Sequence, residues 1–193
     1  MIRVATEADV PAILDIYAPY VENTTITFEY DVPCRRSFLQ RFYDITAQFP
    51  WLVWEEDGRI LGYAYASAPF ARPAYAWIAE PSIYLAMDAR GKGIGKKLYT
   101  ALEAILKDQG YQLLYALITE ENTASLRFHE RQGYSFLAKF PDCGFKFNRC
   151  LGVTWMEKRL SVVNMPKSFP TPFSKYCQSV QRLCDILDTL SLS

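Results

Sequence analysis

The sequence predicts a mixed α/β domain over residues 1–160, followed by an extension over 161–193, and three observations carry that prediction. Before residue 50 the apolar spacing is helical. From Trp51 it switches to the alternation of strands around a Glu56-Asp57-Gly58 turn. From Arg90 a glycine-rich loop opens an amphipathic helix, and strand and helix then alternate. A length of 193 residues suits one domain with an appendage.

Residues 2–5 alternate as a short strand. Thr6 and Asp9 offer helix caps, Pro11 suits a first turn, and Ile13, Leu14, Ile16, Tyr17 and Val21 form an apolar face. Asn23–Tyr30 reads as an ordered loop, and Ser37–Phe49 as a second helix with Phe38, Leu39, Phe42 and Ile45 on one side. Trp51–Glu55 and Arg59–Ala68 read as a hairpin, and Ala74–Leu85 as another extended stretch. A helix is expected from near Lys96 to about Gln109, ended by Gly110. Gln112–Ile118 is a strand of buried type and Thr123–Gln132 a helix closed by Gly133; two strands near 134–140 and 147–159 complete the set.

Beyond Leu160 the character changes. Asn164–Pro172 holds three prolines and reads as a linker. Tyr176, Val180, Leu183, Leu187 and Leu190 then form one helical stripe. That stripe suits equally a helix packed on its own domain or a subunit contact.

Composition narrows the functional classes. The 21 basic residues cancel the 21 acidic ones, which removes the electrostatic footprint of a nucleic-acid binder. No apolar run approaches a membrane span, and the N-terminal residues hold no signal-peptide core, so a cytoplasmic protein is expected. Five cysteines without paired Cys-x-x-Cys spacing point to reduced thiols and no metal, with Cys143 and Cys150 expected as small buried residues. His129 is the only histidine, which excludes mechanisms needing two.

The chemistry concentrates in Arg90-Gly91-Lys92-Gly93-Ile94-Gly95. Small residues turning into a helix N-terminus expose main-chain N–H groups in the positive end of the helix dipole, a setting for a pyrophosphate. A P-loop needs four residues between its glycines and then Lys-Ser/Thr, and a dinucleotide fold needs the motif after the first strand of a parallel unit; both fail here. One strand further on stands Glu121-Asn122-Thr-Ala-Ser125, with His129 and a closing Gly133-Tyr134. Together these resemble the GNAT superfamily of acyl-CoA-dependent N-acetyltransferases over residues 1–160. The resemblance is to the phosphinothricin and methionine sulfone/sulfoximine N-acetyltransferase branch. It rests on Ile16-Tyr17, Tyr20-Val21, Thr27-Phe28-Glu29, Gly62–Ala66, Arg72, Tyr75, Trp77–Tyr84, His129-Glu130 and Gly144–Lys146.

That resemblance implies a mostly antiparallel twisted sheet with one splayed parallel pair and acetyl-CoA held in the splay. The cofactor would be contacted by Ile83, Tyr84 and Leu85, by Arg90, Gly91, Lys92, Gly93, Ile94 and Gly95, and by Asn122 and Ser125, with a main-chain N–H at Leu85 stabilising the oxyanion. Glu80 stands where the branch has its base, and Pro81 favours an extended backbone there; on residue type alone it reads as a solvent-facing strand-end carboxylate. His129 stands at the branch's histidine position, to relay a proton, position the amine or, as imidazolium, protonate the leaving thiolate. Phe28, Glu29, Arg72 and Tyr75 would line the site of a small amino-acid-like amine, Arg72 by clamping its carboxylate. A homodimer is also implied. The chain departs from the branch's Gly-Arg-Trp and Asp-Val at Asn148-Arg149-Cys150 and Gly152-Val153, so the acceptor is not transferred with the pattern. Another amine, such as a protein N-terminus or polyamine, and a non-catalytic CoA-binding module stand as alternatives.

Overall fold

A computed structural model describes residues 1–162 and 164–177, with Leu183, Cys184, Ile186 and Leu187. Strand β1 (Ile2–Val4) leads into helices α1 (Val10–Asn23) and α2 (Arg35–Thr46). Strands β2 (Trp51–Glu56), β3 (Arg59–Ser67) and β4 (Ile78–Leu85) follow, then helix α3 (Ile94–Gln109), strand β5 (Leu113–Thr119) and helix α4 (Thr123–Arg131). Strands β6 (Ser135–Lys146) and β7 (Arg149–Arg159) and the short helix α5 (Phe173–Tyr176) end the described elements.

The seven strands form one sheet in the order β1-β2-β3-β4-β5-β7-β6, antiparallel except at β4–β5. The β2–β3 turn uses Asp57 and Gly58, both at positive φ, as a tight hairpin demands. Strand alternation sorts the core into two layers. Trp51, Val53 and Tyr63 point to α1 and α2 and pack with Ile13, Tyr17, Phe38 and Phe42. Leu52, Ala64 and Ala66 point the other way, onto Leu98, Leu102, Ile105 and Leu106 of α3.

The parallel pair matters most for function. Strands β4 and β5 are in register only at Ile78↔Leu113 and Ala79↔Leu114, after which they splay. From Glu80 onward, therefore, β4 has a free edge toward β5.

Several expectations shift. Helix α3 starts at Ile94, not near Lys96, because Gly93 at φ 79° already serves as its N-cap. Strand β6 runs to Lys146, with a register shift between Phe140 and Gly144 that bends an otherwise overlong arm. Cys143 and Cys150 are exposed, not buried, because they lie on this hairpin arm where no helix covers them. The proline-rich 164–172 segment is a strap along the body. The Trp77 indole donates to the Ser168 carbonyl at 3.0 Å and its ring stacks on Phe169, while Thr171 and Gln109 exchange two bonds of 2.8 and 2.7 Å. Of the helical stripe, Tyr176 and Leu183 are buried and Leu187 packs against the same α3-side core, which favours packing on the chain's own body. Val180 and Leu190 lie outside the described residues.

Candidate active site

The free edge of β4 follows from its pairing with β3. The Ala86 N–H donates to the Leu61 carbonyl at 2.9 Å, so alternation turns the main chain of Tyr84 and Ser82 toward β3 and that of Leu85 and Ile83 into the splay. Tyr84, expected among the cofactor contacts, lines the cleft, although its main-chain N–H and carbonyl turn toward β3. Its ring lies on the opposite layer, in edge contact with Tyr17 and Tyr20 at 5.0 Å between centroids. The Leu85 N–H, expected to serve an oxyanion, donates to the Tyr20 hydroxyl at 3.1 Å. Ile83 is the residue whose N–H remains directed into the splay.

Beyond β4 the chain reaches the glycine loop. Gly91 and Gly93 have φ of 77° and 79°, a left-handed conformation that L side chains rarely adopt, and a Cβ at either would meet nothing within 4 Å. The loop's outer surface is therefore open, and no side chain caps the first turn of α3. Its N–H groups and the dipole behind them face outward, with Arg90, Lys92 and Lys96 exposed on the same rim. A Cβ at Gly95 would touch Ile83, Leu85 and Phe128 at 3.4, 3.5 and 3.7 Å, so this glycine leaves space between α3, α4 and the β4 edge. An open anion cradle beside an unpaired strand edge fits a ligand with a pyrophosphate and an extended amide arm. Asn122 caps α4, its Oδ1 accepting from the Ser125 N–H at 3.2 Å, and both residues line the splay.

Glu80 and His129 line the same cleft as Ile83 and Asn122. Glu80 is half-buried, and burial raises its carboxyl above the ordinary glutamate range with no partner charge opposing the shift. His129 is 4% exposed and fully engaged. Its Nδ1 lies 2.8 Å from the Ser125 carbonyl, an acceptor, so Nδ1 carries the proton and Nε2 accepts from the Tyr99 hydroxyl at 2.8 Å. Burial lowers its pKa to about 4, so the ring is neutral at pH 7 and is not an imidazolium acid. The Tyr99 hydroxyl oxygen also lies 3.4 Å from the Pro81 carbonyl; with its proton given to Nε2, this places His129 and Tyr99 beside the residue after Glu80 by contact.

Beside the cleft, the 24–30 loop meets the β6–β7 arm. A Cβ at Gly144 would overlap the Phe28 ring, so this glycine lets Phe28 lie flat on β6. The Lys146 ammonium, buried, donates to the Thr27 carbonyl at 2.8 Å, and the Thr119 hydroxyl donates to the Thr25 carbonyl at 2.6 Å. These bonds hold the loop over the C-terminal end of β5. Glu29 pairs through Oε1 with Arg41 at 2.5 Å, while its Oε2 is buried without a partner among the described residues. Arg72 and Tyr75 are placed apart from the cleft lining, exposed on the β3–β4 connection, where the Tyr75 ring packs on Phe70 at 4.7 Å. Sequence reasoning missed Tyr20, Arg41 and Tyr99. Each acts on the site through partners distant in the chain, and only Tyr20 lay in a stretch that the resemblance had marked.

The acetyltransferase (GNAT) domain family matches residues 2–167. Among curated relatives, the phosphinothricin N-acetyltransferase of Alcaligenes faecalis is 36% identical over 162 residues, covering 83% of this chain and 82% of that protein. The L-methionine sulfoximine/L-methionine sulfone acetyltransferase of Pseudomonas aeruginosa is 35% identical over 162 residues, covering 82% of this chain and 94% of its own. The crystal structure of a GNAT superfamily phosphinothricin acetyltransferase from Sinorhizobium meliloti in complex with acetyl-CoA superposes with a TM-score of 0.85 at 34% identity, covering 90% of this chain and 96% of that one. With the splayed pair, the glycine loop and this extent of match together, the chain belongs to the GNAT acetyltransferase family and is an acyl-CoA-dependent N-acetyltransferase.

Proposed function

We propose that the chain acetylates the primary amine of a small amino-acid-like substrate, with Glu80 as the base that makes the amine nucleophilic. The observation that carries this reading is a half-buried carboxylate of raised pKa, lining the splay where a cosubstrate's reactive end would reach. Acetyl-CoA supplies an activated acyl thioester. An amino-acid amine is mostly protonated at pH 7, so Glu80 takes a proton from the ammonium, directly or through a water, and the freed lone pair is then available for N–C bond formation. The Ile83 N–H, in the splay, is placed to donate to a carbonyl oxygen as charge builds on it. Arg90, Lys92 and the N–H groups of Gly91–Gly95 hold the pyrophosphate, and Asn122 and Ser125 border the amide arm. His129 serves as a neutral positioning group: its Nε2 takes the Tyr99 hydroxyl proton and so holds the Tyr99 ring beside Pro81, next to the β4 residue Glu80.

On the acceptor side, the relatives that act on phosphinothricin and on methionine sulfone or sulfoximine support an α-amino acid carrying a polar side-chain terminus. Phe28 and Glu29 belong to the 24–30 loop, whose Ile26 lines the cleft. Arg72 and Tyr75 serve only if the β3–β4 connection folds inward on binding. Phe136, Leu137, Phe140 and Phe145 are exposed on β6, and an apolar edge of this kind supports a homodimer. Five free cysteines support a reducing, cytoplasmic setting, and no helix among the described residues is long and apolar enough to cross a membrane. Residues 1–160 are assigned as the catalytic domain and 161–193 as an extension, of which residues 164–172 run along the body.

A thiol-release assay with acetyl-CoA tests the reading against phosphinothricin, methionine sulfone, free amino acids, polyamines and a peptide. Turnover confined to the first three supports it. Turnover only with polyamines or peptide overturns the acceptor class, and acetyl-CoA binding with no turnover overturns the catalytic assignment.

A further inference from the structure

Both main-chain groups that Leu85 presents to the splay are taken by one side chain. The Tyr20 hydroxyl donates to the Leu85 carbonyl at 2.6 Å and accepts from the Leu85 N–H at 3.1 Å. Tyr20 comes from α1, on the layer opposite α3. Its ring lies edge-on to Tyr84 at 5.0 Å, and the Arg90 guanidinium sits over it, 5.0 Å from the centroid. One residue therefore touches both fittings of the cosubstrate site: the last edge position of β4 and the first arginine of the phosphate loop. A hydroxyl suits the first contact because a single oxygen supplies one donor and one acceptor, as the two ends of an amide would. An unpaired strand edge is otherwise left with unsatisfied groups.

We propose that Tyr20 is a displaceable occupant of the acetyl-CoA site that sets affinity for the cosubstrate. Its hydroxyl stands on Leu85 in place of a pantetheine amide, and its ring holds Arg90 until a pyrophosphate draws the guanidinium away. The N–H and carbonyl of Leu85 cannot serve the hydroxyl and the amide arm at full strength together. Binding exchanges one set of bonds for the other, and the intrinsic affinity of the edge is lowered by the free energy of the bonds given up. The proposal rests on the reading that acetyl-CoA lies along the Ile83–Leu85 edge.

Tyr20→Phe keeps the ring, its packing and the Arg90 contact, and removes only the hydroxyl. Calorimetric titration with acetyl-CoA is expected to give a Kd about three- to tenfold tighter than that of the unsubstituted chain, the scale of one or two ordinary hydrogen bonds. Tm without ligand is expected to fall, because Leu85 loses both bonds. A merely structural tyrosine would weaken binding as it weakened the fold, so the opposite signs are the signature. Tyr17→Phe is the control: its hydroxyl bonds the Thr27 hydroxyl at 2.7 Å in the same aromatic group, and its loss is expected to lower Tm and leave the acetyl-CoA Kd unchanged. An unchanged or weaker Kd for Tyr20→Phe overturns the proposal while leaving the cosubstrate site standing. Absence of saturable binding by the unsubstituted chain overturns both.

Discussion

Glu80 on β4 and His129 on α4 line one cleft from opposite sides, and their surroundings are opposite too. Glu80 is desolvated and lacks an offsetting charge, so its ionised form is less favourable than in water and accepts a proton more readily than an exposed glutamate. His129 is desolvated further, but every ring nitrogen is committed, Nδ1 to the Ser125 carbonyl and Nε2 to the Tyr99 hydroxyl. Three aromatic rings, Tyr99, Phe128 and Tyr134, pack edge-on around it. Burial acts on both, with different consequences. A side chain strained by burial and left unpartnered is suited to exchange protons, whereas one whose partners absorb the burial is suited to hold geometry.

The sharpest division comes from Glu80→Gln. Removing a general base typically costs about 10²- to 10⁴-fold, and that loss is expected in kcat with the acetyl-CoA Kd unchanged. The same change is expected to raise Tm at neutral pH. A folded-state pKa raised above the unfolded value means that stability is full below the unfolded pKa and is lost as pH rises through the folded one. At pH 7 the ionised Glu80 therefore weakens the fold, and a neutral amide relieves it. Activity down with stability up is the pattern of a residue kept for chemistry; undiminished kcat would break the comparison at its root.

His129 gives the next largest effect, and it is a pH effect on stability. Its folded pKa is about 4, against an ordinary value of 6.5. Its contribution is full above about 6.5 and is lost as pH falls toward about 4, because only the unfolded chain takes up the proton in that window. The difference corresponds to about 3 kcal/mol. Urea unfolding across this range reads it directly. A variant lacking the imidazole is expected to lose this part of the slope.

His129→Phe is that variant, and it sharpens the contrast with Glu80. It preserves the ring contacts and removes the acceptor of the Tyr99 hydroxyl, whose remaining polar neighbours are the Pro81 carbonyl at 3.4 Å and Tyr134. A cost of about 1–3 kcal/mol in unfolding free energy is expected, with kcat reduced less than about tenfold, since positioning effects fall below those of a lost proton acceptor. A kcat loss matching that of Glu80→Gln would show His129 to be a chemical participant.

How much of this was legible beforehand depends on the range of the interaction. The phosphate loop was readable because its geometry is local: positive φ at Gly91 and Gly93 is a property of glycine, and the helix N-terminus follows within a residue. Glu80 was readable by position, since the family pattern and Pro81 place it on an extended segment. Its raised pKa was not, because burial comes from packing against distant elements. The engagement of His129 depends on Tyr99, 30 residues earlier, and the capture of Leu85 depends on Tyr20, 65 residues away. No periodicity encodes such pairs. Cys143 and Cys150 were misplaced for a related reason: small apolar character predicts burial only where another layer covers the strand, and at these two positions the β6–β7 arm has no helix over it. The proline-rich strap looked like a free linker because the stacking of Phe169 on Trp77 joins segments that composition treats independently.

The smallest effect tests the mechanism most closely. If Glu80 must be ionised to take the ammonium proton, kcat/KM rises with pH through its pKa in the free enzyme and levels off above it. Because burial raises that pKa, the acid limb is expected above the range of an exposed glutamate. His129 contributes nothing to this limb near neutrality, since the imidazole stays neutral there. The limb should therefore persist unchanged in His129→Phe, and it should vanish from the residual activity of Glu80→Gln. A limb that moves with the histidine substitution instead would assign the proton to α4, and would reverse the division of labour between the two sides of the cleft.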